Sequence, residues 1–431
     1  MSGSASGGSV ATGVGVSTKD DLVEAVREAA ANLKADLADP KLVLCFITCN
    51  HPTDHLTEAL AALKSALPAT IRVGGSVNGI AFGDDRYDAV YGNARAVGIF
   101  GFGGEGLRVS AAISANPGGE LPPGPEQAMA ATEAGKRIAR EALEVLGATV
   151  KGEAASSAGA ILLGAGIGVG LDQPVVNGIR AIEPRLRLTG PGLSGGVDMS
   201  GMPLPGYAFL DERVEKVGVA LITLAGEARF GFSMANGMQP VGPGAFVTDA
   251  QGPVIKTLNG RPAKDVVLEL LVGNETEEVR TLFAKNPTVM GVERGITLAT
   301  QDPEGDFYWC HMPITFLPDG SFIDFFEAKR GSGLSLVRID KQSCLDAVEQ
   351  AAGMLVEDVG KPELEGILAF SCSLRGFTLG GETAHEDGKL RKAVKVRKLL
   401  GVVANGEVGC YRAGRPLHTG WVYALFGLAQ S

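Results

Sequence analysis

The sequence predicts an α/β protein with α+β layers, in which mixed β-sheets are covered by helices, and three observations carry that expectation. The chain has 61 glycines but only 6% aromatic residues, so tight turns and close backbone approaches must be frequent. Short apolar runs of strand length alternate with amphipathic segments of helical period. Most telling, the chain repeats itself three times, each copy reading as strand, helix or loop, glycine turn, strand.

The N-terminal MSGSASGGSVATGVGVS has neither a basic start nor an apolar core, so it is no secretory signal, and residues 1–18 read as a flexible tail. The first helix is expected at about residues 19–37. Thr18 with Asp21 forms a plausible capping box, and Leu22, Val26, Ala29, Leu33 and Leu37 share one face. Pro40 stops that helix and KLVLCFIT follows as a strand.

The first copy then runs from LVLCFIT (42–48) through HLTEALAALKSAL to GGSVNG (74–79) and AVGIFGF. The second runs from GAILLGA (159–165) through QPVVNGIRAI to GPGLSGG (190–196) and KVGVALITL. The third runs from EGILAFS (365–371) through KLRKAVKVRKLL to GVVANGE (401–407) and WVYALFG. Phe46 to Gly74, Leu162 to Gly190 and Ala369 to Gly401 are similar distances. A strand that crosses through a helix to another strand covers one sheet face with that helix. Between the second and third copies, residues 246–271 read as a hairpin with turns at Gln251-Gly252 and Asn259-Gly260, then a helix carrying Val266, Leu268 and Leu271. Residues 295–327 alternate strands and turns. A boundary near residues 272–290 divides the chain into 19–271 and 272–431, in line with ~150 residues per core as a soft prior.

Charge and composition exclude several classes. The net charge of −10 argues against nucleic-acid binding. KVRK at 395–398, the densest basic run, reads as a helix end or a solvated face. No stretch of eighteen apolar residues offers a membrane span. The cysteines at 45, 49, 310, 344, 372 and 410 are dispersed in apolar runs, the pattern of reduced thiols in a cytoplasmic protein. LGAGIGVGLD (163–172) lacks dinucleotide spacing because Val169 stands where the third glycine belongs, and Asp172 reads as a helix N-cap. His51 and His55 are four apart, but Pro52 intervenes and no cysteine pairing completes a metal site, so no metal is expected.

Several segments occur in a family's order. GFSMANGMQPVGPGAFVTDAQGPVIKTLNGRPA (231–263), FSCSLRG (370–376), an acidic segment at Glu382 or Glu386, GVVANGEVG (401–409) and His418 together resemble the FIST family, with an N-terminal and a C-terminal FIST domain in tandem from about Val16 onward. That resemblance implies an intracellular sensory module that binds a small molecule and signals through a protein partner. No F-box, kinase or cyclase segment accompanies it, so a pure adaptor is the alternative that needs no ligand.

Two candidate sites follow. The first is a polar set of Cys372, Arg375, Asn405, Glu407 and His418: an Arg pairs with a ligand carboxylate and a Glu holds an amino group, which suits an amino-acid-like ligand. Its structural counter-reading makes Arg375 and Glu407 an internal ion pair. The second is a haem b site for nitric-oxide sensing, which some family members have, with His311 on iron and Arg330, nineteen positions later, on a propionate. If 307–314 is a strand and Pro318–Ser321 a hairpin turn, Phe307, Trp309 and His311 share a face, with Trp309 opposite Arg330. The counter-reading is a hydrogen-bonded strand histidine and a surface arginine. A Cys372 nucleophile activated by His418 or His385 is a third idea without a local signature, and no catalytic residue is assigned.

Overall fold

The computed structural model describes residues 10–431 apart from 84, 89–92, 119–120, 123, 145–157, 167–169, 199–202, 303–306, 327, 381–383 and 413–415. Within it the apolar runs become strands of three units with one plan. The first unit holds β1 (Ala11–Ser17), α1 (Leu22–Asp36), β2 (Pro40–Thr48), α2 (Leu56–Ala66), β3 (Ile71–Val77), the hairpin β4 (Gly79–Phe82) and β5 (Asp85–Asp88), and β6 (Val97–Gly103). The second holds β7 (Arg108–Ser114), α3 (Pro125–Glu144), β8 (Ala158–Leu163), α4 (Asp172–Ile182) and β9 (Leu188–Pro191). The pair β10 (Ser194–Val197) and β11 (Pro203–Pro205), the hairpin β12 (Tyr207–Leu210) and β13 (Arg213–Lys216), and β14 (Val219–Ala225) complete it.

The third unit opens with β15 (Ala228–Ala235) and then carries an inserted layer. That layer comprises β16 (Gln239–Gln251), β17 (Val254–Leu258), β18 (Arg261–Pro262), α5 (Ala263–Leu271), α6 (Glu277–Lys285), α7 (Pro287–Arg294), β19 (Ile296–Gln301), β20 (Tyr308–His311), β21 (Pro313–Phe316), β22 (Phe322–Asp324) and β23 (Gly333–Arg338). The unit resumes with α8 (Lys341–Val359), β24 (Glu363–Cys372), α9 (Ser373–Leu379), α10 (Ala384–Ala393), β25 (Lys395–Ala404), the hairpin β26 (Glu407–Cys410) and β27 (Pro416–Thr419), and β28 (Tyr423–Gln430).

The strand orders expose the symmetry. The three units give sheets β1-β6-β2-β3, β7-β14-β8-β9 and β15-β28-β24-β25, each with one parallel pair made through a helical crossover. Each is then extended by the hairpin of another unit: β12-β13 joins β3, β26-β27 joins β9, and β4-β5 joins β25. The exchange closes on itself. One apolar core draws Phe46, Ile161, Phe232, Phe370 and Phe426 from all three sheets. Helices cover the outer faces, α1 and α2 on the first sheet, α3 and α4 on the second, α8 and α10 on the third.

The repeated glycine segments open as strands, with Gly74, Gly190 and Gly401 inside β3, β9 and β25, and leave the strand only after that, as at Gly406 with φ +78°. A Cβ on Gly74 would meet the Cys45 carbonyl oxygen at 1.8 Å and one on Gly190 the Leu162 carbonyl oxygen at 2.0 Å. Glycine is there because the parallel neighbour leaves no room. Four residues beyond Gly74, Gly190 and Gly401 stand Asn78, Ser194 and Asn405, where the three units meet. Asn78 Nδ2 donates to Asn405 Oδ1 (2.6 Å), Asn405 Nδ2 to Ser194 Oγ (2.7 Å) and Ser194 Oγ to Asn78 Oδ1 (2.6 Å). The ring is closed and buried.

Other expectations need correction. Residues 11–17 of the supposed tail form β1, held against β6, because an open sheet edge takes an available strand; residues 1–9 lie outside the described residues. Asp21, rather than Thr18, caps α1, accepting from the Glu24 amide at 2.8 Å. KLRKAVKVRKLL is split, its first part ending α10 and its second opening β25. Strand pairing crosses the expected boundary near 272, β16 with β23 and β15 with β28. The hairpin turns at Gly252 and Asn259-Gly260 stand where expected, at positive φ.

Candidate functional site

A cleft of about 340 Å³ opens between the second unit and the inserted layer. One wall comes from α4 and the start of α3, with Gln127, Leu171, Gln173, Pro174 and Asn177. The other comes from β19, β20 and β22 and the segment after it, with Trp309, Ile314, Ile323, Phe325 and Phe326. His418 on β27 and Lys329 at the rim complete the lining. Size and mixed apolar and polar lining fit a small-molecule pocket.

Three strands aim polar groups into it. Pairing β19 against β20 sets Leu298 opposite His311 and Thr300 opposite Trp309, so Thr300 and His311 are diagonal neighbours. His311 Nε2 lies 3.0 Å from Thr300 Oγ1, and its Nδ1 lies 2.9 Å from Asp324 Oδ2. Asp324 is buried, and its Oδ1 accepts the amides of Met312 and Phe326, both at 3.0 Å. A carboxylate so placed accepts from Nδ1–H, and in the neutral ring Nε2 is then the nitrogen that accepts from the Thr300 hydroxyl.

A second imidazole stands nearby. His418 Nε2 is 3.5 Å from Asp172 Oδ2 without a hydrogen bond, and the ring meets Phe326 edge-on at 5.2 Å. Burial lowers its pKa, opposed only in part by Asp172. Asp172 itself is the first residue of α4 and not its cap. Its carboxylate accepts the amides of Ala165 and Gly166, at 2.6 and 3.1 Å, fixing the loop after β8. Both carboxylates of the described lining and its second layer, Asp324 and Asp172, are therefore spent on the protein.

The polar set read from sequence is divided. Only His418 reaches the cleft. Arg375 is fully buried: Nε donates to Glu386 Oε1 (2.6 Å), Nη1 to the Trp421 carbonyl (3.1 Å) and Nη2 to the Cys344 carbonyl (2.6 Å). Its acidic partner is thus Glu386 on α10, rather than Glu407; Glu382 lies outside the described residues. Asn405 belongs to the interunit ring. Glu407 is buried with neither carboxyl oxygen in a well-formed hydrogen bond, and burial pushes its pKa well up, relieved slightly by the Cys372 thiol beside it. Cys372 is buried, its thiol pushed up by desolvation and by Glu407, the reverse of an activated nucleophile. His385 is exposed on α10.

The haem arrangement does not fit these residues. Trp309 pairs with Thr300, not Arg330, and Arg330 is exposed and absent from the lining. Iron needs a free imidazole nitrogen, and both nitrogens of His311 are engaged. What sequence reasoning missed was Asp324 and Thr300. DGSFID (319–324) marked a turn and strand, but nothing local placed its aspartate beside His311.

Among the described residues there is no cluster of metal-ligating side chains, and no helix is long and apolar enough to cross a membrane. No disulfide joins the six cysteines. A model of the FIST N domain matches residues 41–261 and one of the FIST C domain matches residues 263–410. Two uncharacterized proteins of Mycobacterium tuberculosis, from strains CDC 1551 / Oshkosh and ATCC 25618 / H37Rv, are each 24% identical over 413 residues, covering 94% of this chain and 96% of each relative. Among solved structures, cyanuric acid hydrolase from A. caulinodans aligns at 9% identity and TM-score 0.40, over 98% of this chain and 99% of that one. PurLQS from Thermotoga maritima aligns at 13% identity and TM-score 0.24, over 99% and 75%. Likenesses of that size say nothing about what this chain does.

Proposed function

The chain belongs to the FIST family, whose domains are sensory ligand-binding modules, and from that premise we propose that it takes a small organic anion with an apolar body in the cleft beside α4 and reports occupancy to a protein partner. One observation carries the reading: among the described residues the cleft combines aromatic walls with polar donors while its carboxylates are already satisfied. Trp309 and Phe326 supply a flat apolar surface. Lys329, Gln127 and Asn177 supply donors. A carboxylate meets a cation and amide donors there, whereas an ammonium meets only neutral acceptors such as Gln127 Oε1, with no carboxylate of the described lining left to pair with it. An amino-acid-like ligand therefore binds through its carboxylate alone.

Occupancy has a route to a signal. The ligand touches α4 of one unit and the inserted layer of another, so it favours whichever arrangement of the two closes on it. The partner that reads this change is identified by function only, as the protein that carries the output.

Asn177 is exposed on α4 and lines the cleft, so Asn177→Trp fills the mouth without disturbing the core. With 3-phenylpropanoate at a hundred times its dissociation constant, the wild-type chain gains about 2.7 kcal/mol of stability, read as a raised thermal midpoint. Asn177→Trp loses that gain. An equal gain in the variant places the ligand elsewhere. A Soret band in the purified protein, abolished by His311→Ala, would replace this reading with haem sensing.

A further inference from the structure

We propose that Thr300, His311 and Asp324 form an acyl-transfer site, with Thr300 as nucleophile, His311 as base and Asp324 as the carboxylate that positions it. The proposal borrows the cleft of the sensory reading as its substrate pocket and needs nothing else from that reading.

The geometry is that of a nucleophile, a base and an orienting group in one line. Thr300 Oγ1 to His311 Nε2 is 3.0 Å and His311 Nδ1 to Asp324 Oδ2 is 2.9 Å, both within hydrogen-bond reach. All three residues line the cleft, and each comes from a different strand, β19, β20 and β22. Strands hold such groups more firmly than loops do. The two main-chain amides on Asp324 Oδ1 lock the carboxylate, and the Thr297 hydroxyl on the His311 carbonyl (2.6 Å) pins the backbone behind the ring. With Nδ1 held by Asp324, the neutral ring turns its basic Nε2 to a hydroxyl on the cleft wall. Thr300 is only partly buried and lines the cleft.

The substrate class is a small ester with an apolar acyl or alcohol part against Trp309 and Phe326. Thr300 Oγ1 attacks the carbonyl carbon as its proton passes to His311 Nε2. The tetrahedral adduct collapses with cleavage of the ester C–O bond, and the Nε2 proton leaves with the alcohol. Water then attacks the threonyl ester, giving its proton to Nε2, and collapse returns that proton to Oγ1. Ester and water become acid and alcohol, and the chain is regenerated. The acid product is an organic anion of the class the cleft is proposed to sense.

The test uses p-nitrophenyl acetate on the full chain, following p-nitrophenol release together with peptide mapping of the acid-quenched protein. The expected result is a burst of one p-nitrophenol per chain and one acetyl group on Thr300. Thr300→Val abolishes the adduct, Thr300→Ser retains it, and His311→Gln slows acylation on the order of 100-fold or more. Asp324→Asn changes the pH profile of acylation, which a purely structural role would not move. Acetyl groups on lysines alone, with equal release by wild type and Thr300→Val, overturn the proposal. Turnover that needs His311 but leaves Thr300 unmodified overturns the nucleophile assignment. Mapping the adduct on wild type decides the matter even if a variant misfolds. A thermal shift with 3-phenylpropanoate that survives in Thr300→Val leaves the sensory reading standing when the triad fails.

Discussion

Glu407 shows how much a single buried group can report. It is fully buried at the start of β26, and desolvation raises its carboxyl well above the ordinary 4.5. The folded carboxyl keeps its proton at pH values where the unfolded one has lost it, so the native state binds more protons. The contribution is fully present below pH 4.5 and is lost as pH rises toward the folded value, at up to about 1.4 kcal/mol per unit. Glu407→Gln fixes the neutral form and removes this loss. Its thermal midpoint exceeds that of wild type near neutral pH, and the gap narrows on acidification toward 4.5. Melting curves across that range check the sign; a gap that widens on acidification contradicts it. Sequence reading set Arg375 and Glu407 in a ligand pocket, with an ion pair between the two as its counter-reading. The true partner of Arg375, Glu386, comes from α10, and the choice between two acidic residues depends on how that helix docks, which no spacing encodes.

At the scale of elements, the strands that follow each crossover helix end in a shared hydrogen-bond ring. Removing Asn405 strands the Asn78 amide, takes the Asn405 donor from Ser194 Oγ, and removes the acceptor that Ser373 Oγ reaches at 2.9 Å. Each stranded buried donor costs roughly 1–3 kcal/mol. Asn405→Ala is therefore expected to lower the urea midpoint by that order without altering the slope, since the surface exposed on unfolding is unchanged. An unshifted midpoint would mean the ring is incidental. The repeats themselves were legible because strand, helix and strand recur around equivalent glycines. Their conformation was not. Glycine marks both a turn and a place where a neighbouring backbone comes too close for a side chain, and only the neighbour tells which.

At the scale of the molecule, three units exchange hairpins around one core, and the inserted layer of the third unit leans over α4 of the second. The exchange pairs Gly79–Val403 and Phe209–Gly74, residues far apart in sequence, so the division into halves could not be judged from local pattern. The same holds for the cleft, whose walls lie on either side of the supposed boundary at 272. His311, Trp309 and His418 were legible as chemistry; the cavity that gathers them was not. The central claim is that this cavity selects an anion carried on an apolar body. The direct measurement compares 3-phenylpropanoate, phenylalanine and 2-phenylethylamine by their effect on the thermal midpoint of the full chain, three ligands of one shape and different charge. The account predicts the largest rise for the anion, a smaller one for the zwitterion and none for the amine. A rise with the amine equal to or above that with the anion would contradict it.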